Sequence, residues 1–519
     1  MGLTPVRSVP GSASQPAVDF RLTGVRWQWI AAVPFLVAII LRLYHLGADP
    51  LWLDELISTQ VVRRGLLAVF ANSQTDPHPP LYYLLLWFTS GFGAAQAEWA
   101  WRWPSALAGA LSVPALYRLA RRTAGEVPAM LVAIWLAISP TAVYFSQEAR
   151  WPAVTLLLAI VLTLVFFDLL SHPAPGWRWV LYAGLAAAGL FTSYSFLLVA
   201  GMQLPFVLRA VRREPGGWRL ALTLVGSHAM QAVLGIGVLP AIAAEHANSQ
   251  PLSILVLLAQ LFAGDIFRYG IAWPHFYLVA LLVGLSALGL WHLVSAKPKP
   301  AWTYAPLQVA APLAVYGLVL SPLLHLNLPT YETRQFLVLM PMLFVLCAHG
   351  LAQFSAKFPR AVGWSLSLII SAVVVAGSIG GLARYWAKTR SPEGQAAAYV
   401  AHQLVPGDAL IALDRYSAMA LSYYLPDWSL FLQPTLTETG LRLLQPDGRL
   451  AYEDPPELAY VPLSAVRAHQ RLWVFSTPGL NEAVVDALLA GCHVDATADI
   501  SWLPIRVQLL TGCATDAGP

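Results

Sequence analysis

The sequence has unusually few charged residues. Asp, Glu, Lys and Arg together make up 11% of its 519 residues, whereas soluble domains average about 25%. Hydrophobic residues make up 57%, and the mean hydropathy is +0.60. The apolar residues fall in long blocks rather than amphipathic stripes, which excludes an ordinary soluble enzyme and a disordered chain. We therefore predict a polytopic membrane protein.

Further absences narrow the possible functions. The net charge of +4 is small and dispersed, so no nucleic-acid partner is expected. The chain lacks GxGxxG, GxxxxGK[ST], HExxH and CxxC motifs, so no nucleotide or zinc signature is present. We expect no cofactor and no metal site, although the sequence does not exclude a requirement for a divalent metal ion. Of three cysteines, Cys492 and Cys513 lie in the more polar last segment, where an oxidising compartment would let them pair; two cysteines alone leave that open.

About eleven stretches meet the requirement of roughly 20 apolar residues for a membrane-spanning helix. We expect them near 28–46, 102–119, 127–145, 152–170, 177–193, 194–210, 219–243, 275–295, 302–321, 335–353 and 361–384. The apolar segment 79–93 is shorter, and making it a span would reverse the pattern of basic loops. We expect it to lie along the outer interface or to re-enter.

The distribution of Lys and Arg orients these spans, because short cytoplasmic loops are enriched in both. With the N-terminal tail (1–27) inside, nearly every cytoplasmic connection is basic: Arg7, Arg21 and Arg26; Arg118, Arg121 and Arg122; Arg178; Arg209, Arg212, Arg213 and Arg219; Lys297 and Lys299; Lys357 and Arg360. An odd number of spans then places residues 385–519 outside. We therefore predict a membrane domain over 28–384, with a first outer loop over 47–101.

The composition changes beyond residue 385. Short β-type runs at 409–413 and 472–475 alternate with helical stretches at 391–404 and 480–490. This alternation predicts a small α/β domain on the extracytoplasmic side.

Polar residues cluster in three outer segments. The first outer loop holds Asp54-Glu55, and two further clusters are Ser146-Gln147-Glu148-Ala149-Arg150 and Tyr331-Glu332-Thr333-Arg334-Gln335. An adjacent pair of carboxylates can supply a general base or can simply favour a helix N-terminus. An outer arginine can bind a phosphate through its planar fork of donors or snorkel to lipid headgroups. The gathering of all three clusters on one face favours chemistry on a phosphate-bearing lipid.

Four motifs in this order resemble the bacterial family 39 glycosyltransferases. They are Leu51-Trp52-Leu53-Asp54-Glu55, His78-Pro79-Pro80-Leu81-Tyr82-Tyr83, Arg102-Trp103-Pro104-Ser105-Ala106 and Ser146-Gln147-Glu148-Ala149-Arg150. This group, similar to protein O-mannosyltransferases and lipid A aminoarabinose transferases, belongs to the GT-C superfamily. The resemblance covers about 28–355 and implies a mainly α, GT-C-type membrane domain.

The resemblance also implies an activity. A monosaccharide would be transferred from a polyprenyl-phosphate donor to a hydroxyl of a lipid, glycan or protein acceptor, with inversion at the anomeric carbon. The reaction would take place on the outer face of the bacterial cytoplasmic membrane, where the protein contacts membrane lipids. The implied catalytic residues are Asp54 as base, Glu55 and Glu148. Donor phosphate or sugar binding would fall to Arg42, His78, Arg150, Tyr331 and Arg334, and acceptor binding or positioning to Asp76, Tyr82, Tyr83 and Gln147.

Three departures from the family pattern leave the sugar and acceptor open. Thr192-Ser193-Tyr194 replaces a Thr-His-Tyr, Arg334-Gln335 replaces an Arg-Tyr, and Trp151-Pro152 replaces a Met-Tyr. Two other functions fit a polytopic protein of this kind. A lipid-linked sugar flippase or transporter would need a polar path through the spans, and a glycan polymerase would use a longer lipid-linked donor.

Overall fold

The computed structural model describes most of the chain: residues 32–72, 78–171, 176–196, 199, 203, 261, 273–295, 333–437, 440–445, 459–478, 482–500 and 505–514. The membrane part of these is helical. Its helices are α1 (Ala32–Leu43), α2 (Leu53–Arg63), α3 (Leu66–Asn72), α4 (Leu81–Thr89), α5 (Glu98–Ala124), α6 (Glu126–Ile138), α7 (Pro140–Ser146), α8 (Pro152–Ser171), α9 (Gly176–Thr192), α10 (Trp273–Ser295), α11 (Thr333–Phe336), α12 (Met340–Ala356) and α13 (Arg360–Trp386).

The number of spans in the described residues is lower than the sequence predicts. Three helical segments are long and apolar enough to cross a membrane, Pro152–Leu169, Leu337–Ala356 and Arg360–Trp386, and the bent pair α6–α7 can count as a fourth. Helix α5 is long, but charged residues interrupt its hydropathy. The prediction of eleven spans is therefore not confirmed, and the spans predicted at 219–243 and 302–321 lie outside the described residues, as do all but a few residues of 194–210.

Glycines let two of the long helices approach closely. A Cβ added at Gly289 of α10 would overlap the Leu346 carbonyl oxygen, and one at Gly350 of α12 would overlap that of Leu285. Small residues at such contacts are typical of membrane helices, which associate through van der Waals packing rather than hydrophobic burial. The α10–α12 pair forms part of the main apolar core.

The short helix α4 occupies the segment predicted to lie at the interface or to re-enter. Its Tyr82, Tyr83 and Leu86 side chains are buried, and they pack in one apolar cluster with Leu56 and Val62 of α2. The segment predicted to form the first outer loop thus has an apolar core of its own, and this core fixes α2 relative to α4.

The predicted C-terminal α/β unit is present. Its seven-stranded sheet has the order β4-β3-β2-β1-β5-β7-β6, in which β1 is parallel to β2 and β5 and the other pairs are antiparallel. The elements are α14 (Pro392–Ala401), β1 (Ala409–Ala412), α15 (Arg415–Tyr424), β2 (Ser429–Thr437), β3 (Gly440–Gln445), β4 (Ala459–Pro462), α16 (Leu463–Arg467), β5 (Arg471–Ser476), α17 (Glu482–Leu489), β6 (His493–Ile500) and β7 (Ile505–Thr511). A disulfide joins Cys492 to Cys513.

Helix α15 docks this sheet onto the first outer loop. The Tyr424 hydroxyl accepts a hydrogen bond from the Leu51 backbone N–H at 2.6 Å. The guanidinium of Arg63 lies 4.5 Å from the ring centroid of Tyr423, within the range of a cation–π contact. Met419 completes the α2–α4 cluster. The C-terminal domain therefore braces the helix that carries Asp54 and Glu55.

Candidate active site

Four segments meet at the start of α2. They are the Asp54-Glu55 pair in its first turn, the 146–151 connection between α7 and α8, the His78-Pro79-Pro80 approach to α4, and the short helix α11. The four contribute residues far apart in sequence. All three polar clusters predicted from the sequence supply at least one side chain.

Asp54 lies between two arginines. Its Oδ2 atom forms an ion pair with Arg334 of α11 and lies 3.6 Å from Nη2 of Arg150. Asp54 and Arg334 each keep 16% of their side chain exposed, whereas Arg150 keeps 4%. One carboxylate thus faces two guanidinium groups next to accessible space.

These arginines control the ionisation of Asp54. Burial by itself would raise the pKa of this carboxyl, but the charges of Arg334 and Arg150, with the hydrogen bond from Arg334, lower the pKa to about 2. Opposite charges at this range favour the ionised form. Asp54 is therefore a carboxylate at neutral pH, and a weak base while both arginines hold it.

Arg150 is fixed by several further contacts. Its Nη1 donates to the Ser58 hydroxyl at 3.1 Å and to the Tyr83 hydroxyl at 3.3 Å. Its Nη2 lies 3.4 Å from Nε2 of His78. The Ser105 hydroxyl donates to the Arg150 backbone oxygen at 2.9 Å. The same hydroxyl lies 2.9 Å from the Tyr82 hydroxyl. Tyr82, Tyr83 and His78 therefore position Arg150.

Glu55 is in a different environment from its neighbour. It is fully buried and paired with Arg102, whose Nε and Nη2 donate to its two oxygens at 2.8 and 2.7 Å. The backbone N–H groups of Ala149 and Trp52 donate to the same carboxylate at 2.7 and 3.2 Å. Burial would raise the pKa of Glu55, but Arg102 and these hydrogen bonds keep it below the ordinary value. Glu55 thereby ties the first outer loop to α5 and to the 146–151 connection.

Arg42 is fully buried, at the bend between α6 and α7. Its guanidinium donates to the carbonyl oxygens of Ala137 and Leu136 at 3.0 and 3.3 Å, and to the Ser146 hydroxyl at 3.2 Å. The helices bend by 54° before Pro140, and this proline has no N–H to donate to the Leu136 carbonyl oxygen four residues earlier. The contacts of Arg42 thus satisfy backbone groups that the bend releases.

The Gln147 side chain caps the C-terminal end of α1. Its Nε2 donates to the carbonyl oxygens of Leu41, Arg42 and Tyr44 at 3.2, 3.1 and 2.6 Å. The last carbonyls of a helix have no partner within it, so Gln147 caps this helix from another segment.

The remaining predicted site residues divide into two groups. Glu148 is buried with 1% of its surface exposed, next to the residues that position Arg150. Asp76 and Tyr331 lie outside the described residues. In the described part of the chain, no group of three or more His, Cys, Asp or Glu side chains could hold a metal ion.

The sequence interpretation gave no role to Arg102, Ser58 or Ser105. Arg102 and Ser105 stand in one of the four motifs, and Arg102 could have been found from electrostatics, because a buried carboxylate such as Glu55 requires a cation. No sequence signal pointed to Ser58, which reaches Arg150 from one turn beyond Asp54.

The chain was compared with protein-family models and with solved structures, and both give matches. A family model described as dolichyl-phosphate-mannose-protein mannosyltransferase matches residues 77–215. Structurally, the chain matches ArnT from Cupriavidus metallidurans in its apo state, with a TM-score of 0.55 and 14% identity over 95% of this chain and 99% of ArnT. The chain has the GT-C fold. The resemblance inferred from the four motifs, to GT-C superfamily membrane glycosyltransferases, is confirmed.

Two further structures extend the comparison. ArnT bound to undecaprenyl phosphate matches with the same TM-score and identity, over 95% of this chain and all of ArnT. The Archaeoglobus fulgidus oligosaccharyltransferase matches with a TM-score of 0.49 and 10% identity, over 76% of this chain and 61% of that protein. No curated protein sequence matches the chain.

Proposed function

We propose that this protein transfers a monosaccharide from a polyprenyl-phosphate donor to a hydroxyl acceptor, with inversion. One observation carries the proposal: a partly exposed carboxylate, Asp54, stands between two arginines on a GT-C fold. The reaction needs both parts, a base for the acceptor and cations for the phosphate that leaves. The acceptor class, lipid, glycan or protein, stays open in this proposal.

Arg150 and Arg334 would bind the donor phosphate. Guanidinium groups form bidentate, charge-assisted hydrogen bonds with phosphate oxygens, and the cluster offers two of them beside one carboxylate. His78 accepts a hydrogen bond from Arg150 at its Nε2 atom, 3.4 Å away, and so helps to position this guanidinium. The similar fold of ArnT, solved with undecaprenyl phosphate, supports a lipid phosphate as the ligand.

Donor binding would also activate the base. When the phosphate takes over the two guanidinium groups, Asp54 loses the charges that lower its pKa, and its basicity rises. Asp54 then accepts the proton of the acceptor hydroxyl. The hydroxyl oxygen attacks the anomeric carbon from the face opposite the phosphate, and the bond between that carbon and the phosphate oxygen breaks. Its electron pair leaves with the polyprenyl phosphate, whose charge the arginines neutralise.

The other predicted catalytic and donor-binding residues divide by their contacts. We assign Glu55 and Arg42 to holding the site together, since hydrogen bonds within the protein engage the guanidinium of Arg42 and both carboxylate oxygens of Glu55. Glu148 stays a proposal for positioning the sugar or the acceptor, Tyr331 for binding the donor phosphate or sugar, and Asp76 for binding or positioning the acceptor.

Removing Arg334 should weaken donor binding. A hydrogen bond to a charged group contributes about 1.5–3 kcal/mol, so Arg334→Ala should raise the Kd for a polyprenyl-phosphate sugar roughly 10- to 100-fold. Arg334→Lys should recover only part of this loss, because an ammonium cannot reproduce a planar fork. Binding is measured with the purified full-length protein in detergent.

Arg122→Ala provides the matched control. Arg122 forms an ion pair with Asp168 at 2.7 Å but is 46% exposed and remote in sequence from the site. Its removal should leave donor affinity unchanged. Donor affinity equal to that of the wild type in Arg334→Ala would contradict the phosphate site and favour an arginine that merely snorkels to headgroups.

We further propose a bacterial inner-membrane location with the site and the C-terminal domain outside. Asp427→Cys, at an exposed position, should react with a membrane-impermeant thiol reagent in intact spheroplasts. Lys357→Cys, also exposed, should react only after permeabilisation. Background labelling should be low, because Cys347 is buried and the other two cysteines form the disulfide. The opposite pattern would place the site inside the cell and contradict the topology.

A further inference from the structure

A second polar pocket lies at the outer ends of α1 and α13. Asp49, Gln147, Tyr385, Trp386 and Arg390 are among its lining residues. The pocket also touches Arg102, the partner of Glu55, but Asp54, Arg150 and Arg334 do not line it. It is therefore distinct from the proposed donor site, and a ligand bound in it need not take part in the proposed reaction.

Arg390 is a buried cation at this pocket. Only 7% of its surface is exposed, and its guanidinium lies 4.8 and 4.6 Å from the ring centroids of Tyr144 and Tyr385. It donates to the backbone and side-chain oxygens of Gln147 at 2.6 and 3.4 Å. The charge of Arg390 also helps to lower the pKa of Glu55, although that carboxylate is hydrogen-bonded to Arg102.

This arrangement leaves Arg390 with unused donors. A guanidinium has five N–H groups, and its hydrogen bonds to the described residues engage only those directed at Gln147. A buried charge is costly unless it is paired. An anionic group in the pocket would supply acceptors for the donors that Gln147 does not engage.

Trp386 lines the same pocket. Its indole Nε1 is buried and has no hydrogen-bond partner among the described residues. Buried Trp N–H groups usually find an acceptor. The indole N–H of Trp386 and the remaining donors of Arg390 therefore belong to two lining residues of one pocket, at the end of α13 and in the turn after it.

The pocket also has an acidic residue, and an exposed apolar surface lies beside it. Asp49 lines the pocket, so the site offers a carboxylate as well as donors. Next to it, α1 turns apolar side chains outward: Ile40 and Leu43 are 65% and 54% exposed. Tyr44 and Trp386 form an edge-to-face pair at 4.8 Å, as expected where aromatic rings mark the membrane–water interface.

We propose that this pocket binds the phosphoethanolamine headgroup of a membrane phospholipid. The phosphate oxygens would accept hydrogen bonds from Arg390 and Trp386 Nε1, and the ammonium would donate to Asp49. The acyl chains would lie against the exposed apolar face of α1. A headgroup carrying both charges fits a pocket that offers a guanidinium and a carboxylate, whereas a simple anion would meet repulsion from Asp49.

The test measures lipid affinity by native mass spectrometry of the purified full-length protein. Wild-type protein should bind phosphatidylethanolamine about tenfold more tightly than phosphatidylcholine, whose quaternary ammonium has no N–H to donate, and more tightly than phosphatidylglycerol. Trp386→Phe removes the indole N–H but keeps an aromatic ring, and should weaken phosphatidylethanolamine binding about tenfold. Trp291→Phe, at a 72% exposed position of α10, is the matched control and should bind as the wild type does.

Asp49→Asn tests the headgroup's cation separately. It should bind phosphatidylethanolamine and phosphatidylcholine equally. Wild-type affinity in Trp386→Phe, or equal binding of all three lipids by the wild type, would overturn the proposal. Displacement of the lipid by millimolar inorganic phosphate would do so too, because it would reassign the pocket to a free anion.

The donor-site variant separates this inference from the proposed function. Arg334→Ala should retain phosphatidylethanolamine binding while losing donor affinity, and Trp386→Phe should do the reverse. Loss of phosphatidylethanolamine binding in Arg334→Ala would show that the two sites are one and would overturn the pocket as a separate site.

Discussion

Replacing Asp54 with asparagine is expected to slow glycosyl transfer about 10²–10⁴-fold, the contribution typical of a general base. Asparagine keeps the shape and one accepting oxygen but cannot take the acceptor's proton. Donor affinity should be equal to or higher than that of the wild type, because Arg150 and Arg334 lose the carboxylate that competes with the phosphate for them. The loss should therefore appear in kcat, with an unchanged or lower donor KM.

A chemically equal change elsewhere provides the control for this experiment. Asp168→Asn also removes a carboxylate from an ion pair with an arginine, at 2.7 Å, and should leave turnover unchanged. Asp54 stands in the first turn of α2, two residues after the N-cap Trp52, where loss of its charge should cost the helix only about 0.3–1 kcal/mol. Turnover of Asp54→Asn within a few fold of the wild type would therefore assign Asp54 to helix stability and remove it as the base.

The sequence predicted the small α/β unit well, because its signals are local. The runs at 409–413 and 472–475 are β1 and β5 of the sheet, at its centre and fully buried apart from one end. Their order in the sheet depends on contacts between distant segments, β1 with both β2 and β5. Periodicity cannot supply that information.

The sequence could predict that the three polar clusters lie on the same face of the membrane, but not that their side chains come into contact. Basic loops placed Asp54, Arg150 and Arg334 on one side, but topology gives no distances. Contact between Asp54 and Arg334 joins residues 280 positions apart. It depends on how α11 packs near α2, which no sequence pattern indicates.

The two acidic neighbours show where a motif misleads. Asp54 and Glu55 are equivalent in the sequence, yet successive positions on a helix point about 100° apart. Asp54 consequently reaches the partly open arginine pair, while Glu55 turns into the protein toward Arg102. Burial thus separates an accessible carboxylate from a closed one, and the sequence could not make that distinction.

The Glu55–Arg102 pair should be among the largest contributors to the stability of the site. Both side chains are almost completely buried, at 0% and 2% exposure, and breaking a buried pair by removing one partner costs about 3–5 kcal/mol. Arg102→Ala should therefore yield little folded protein. Glu55→Gln keeps the size but loses the charge, and should lower the unfolding midpoint in detergent, with activity falling in step with the folded fraction.

The pH dependence of unfolding gives this pair a distinct signature. The pKa of Glu55 is lower in the folded protein than the ordinary 4.5, so its stabilising contribution is complete above that value and is lost as the pH falls through the folded pKa. Glu55→Gln should lack this acid-sensitive component. Asp499→Asn, which breaks the exposed pair with Arg506, should change stability by less than about 0.5 kcal/mol. A Glu55→Gln protein that is as stable as the wild type but inactive would instead place Glu55 in the chemistry, because a carboxylate that only holds the fold cannot be lost without a change in stability.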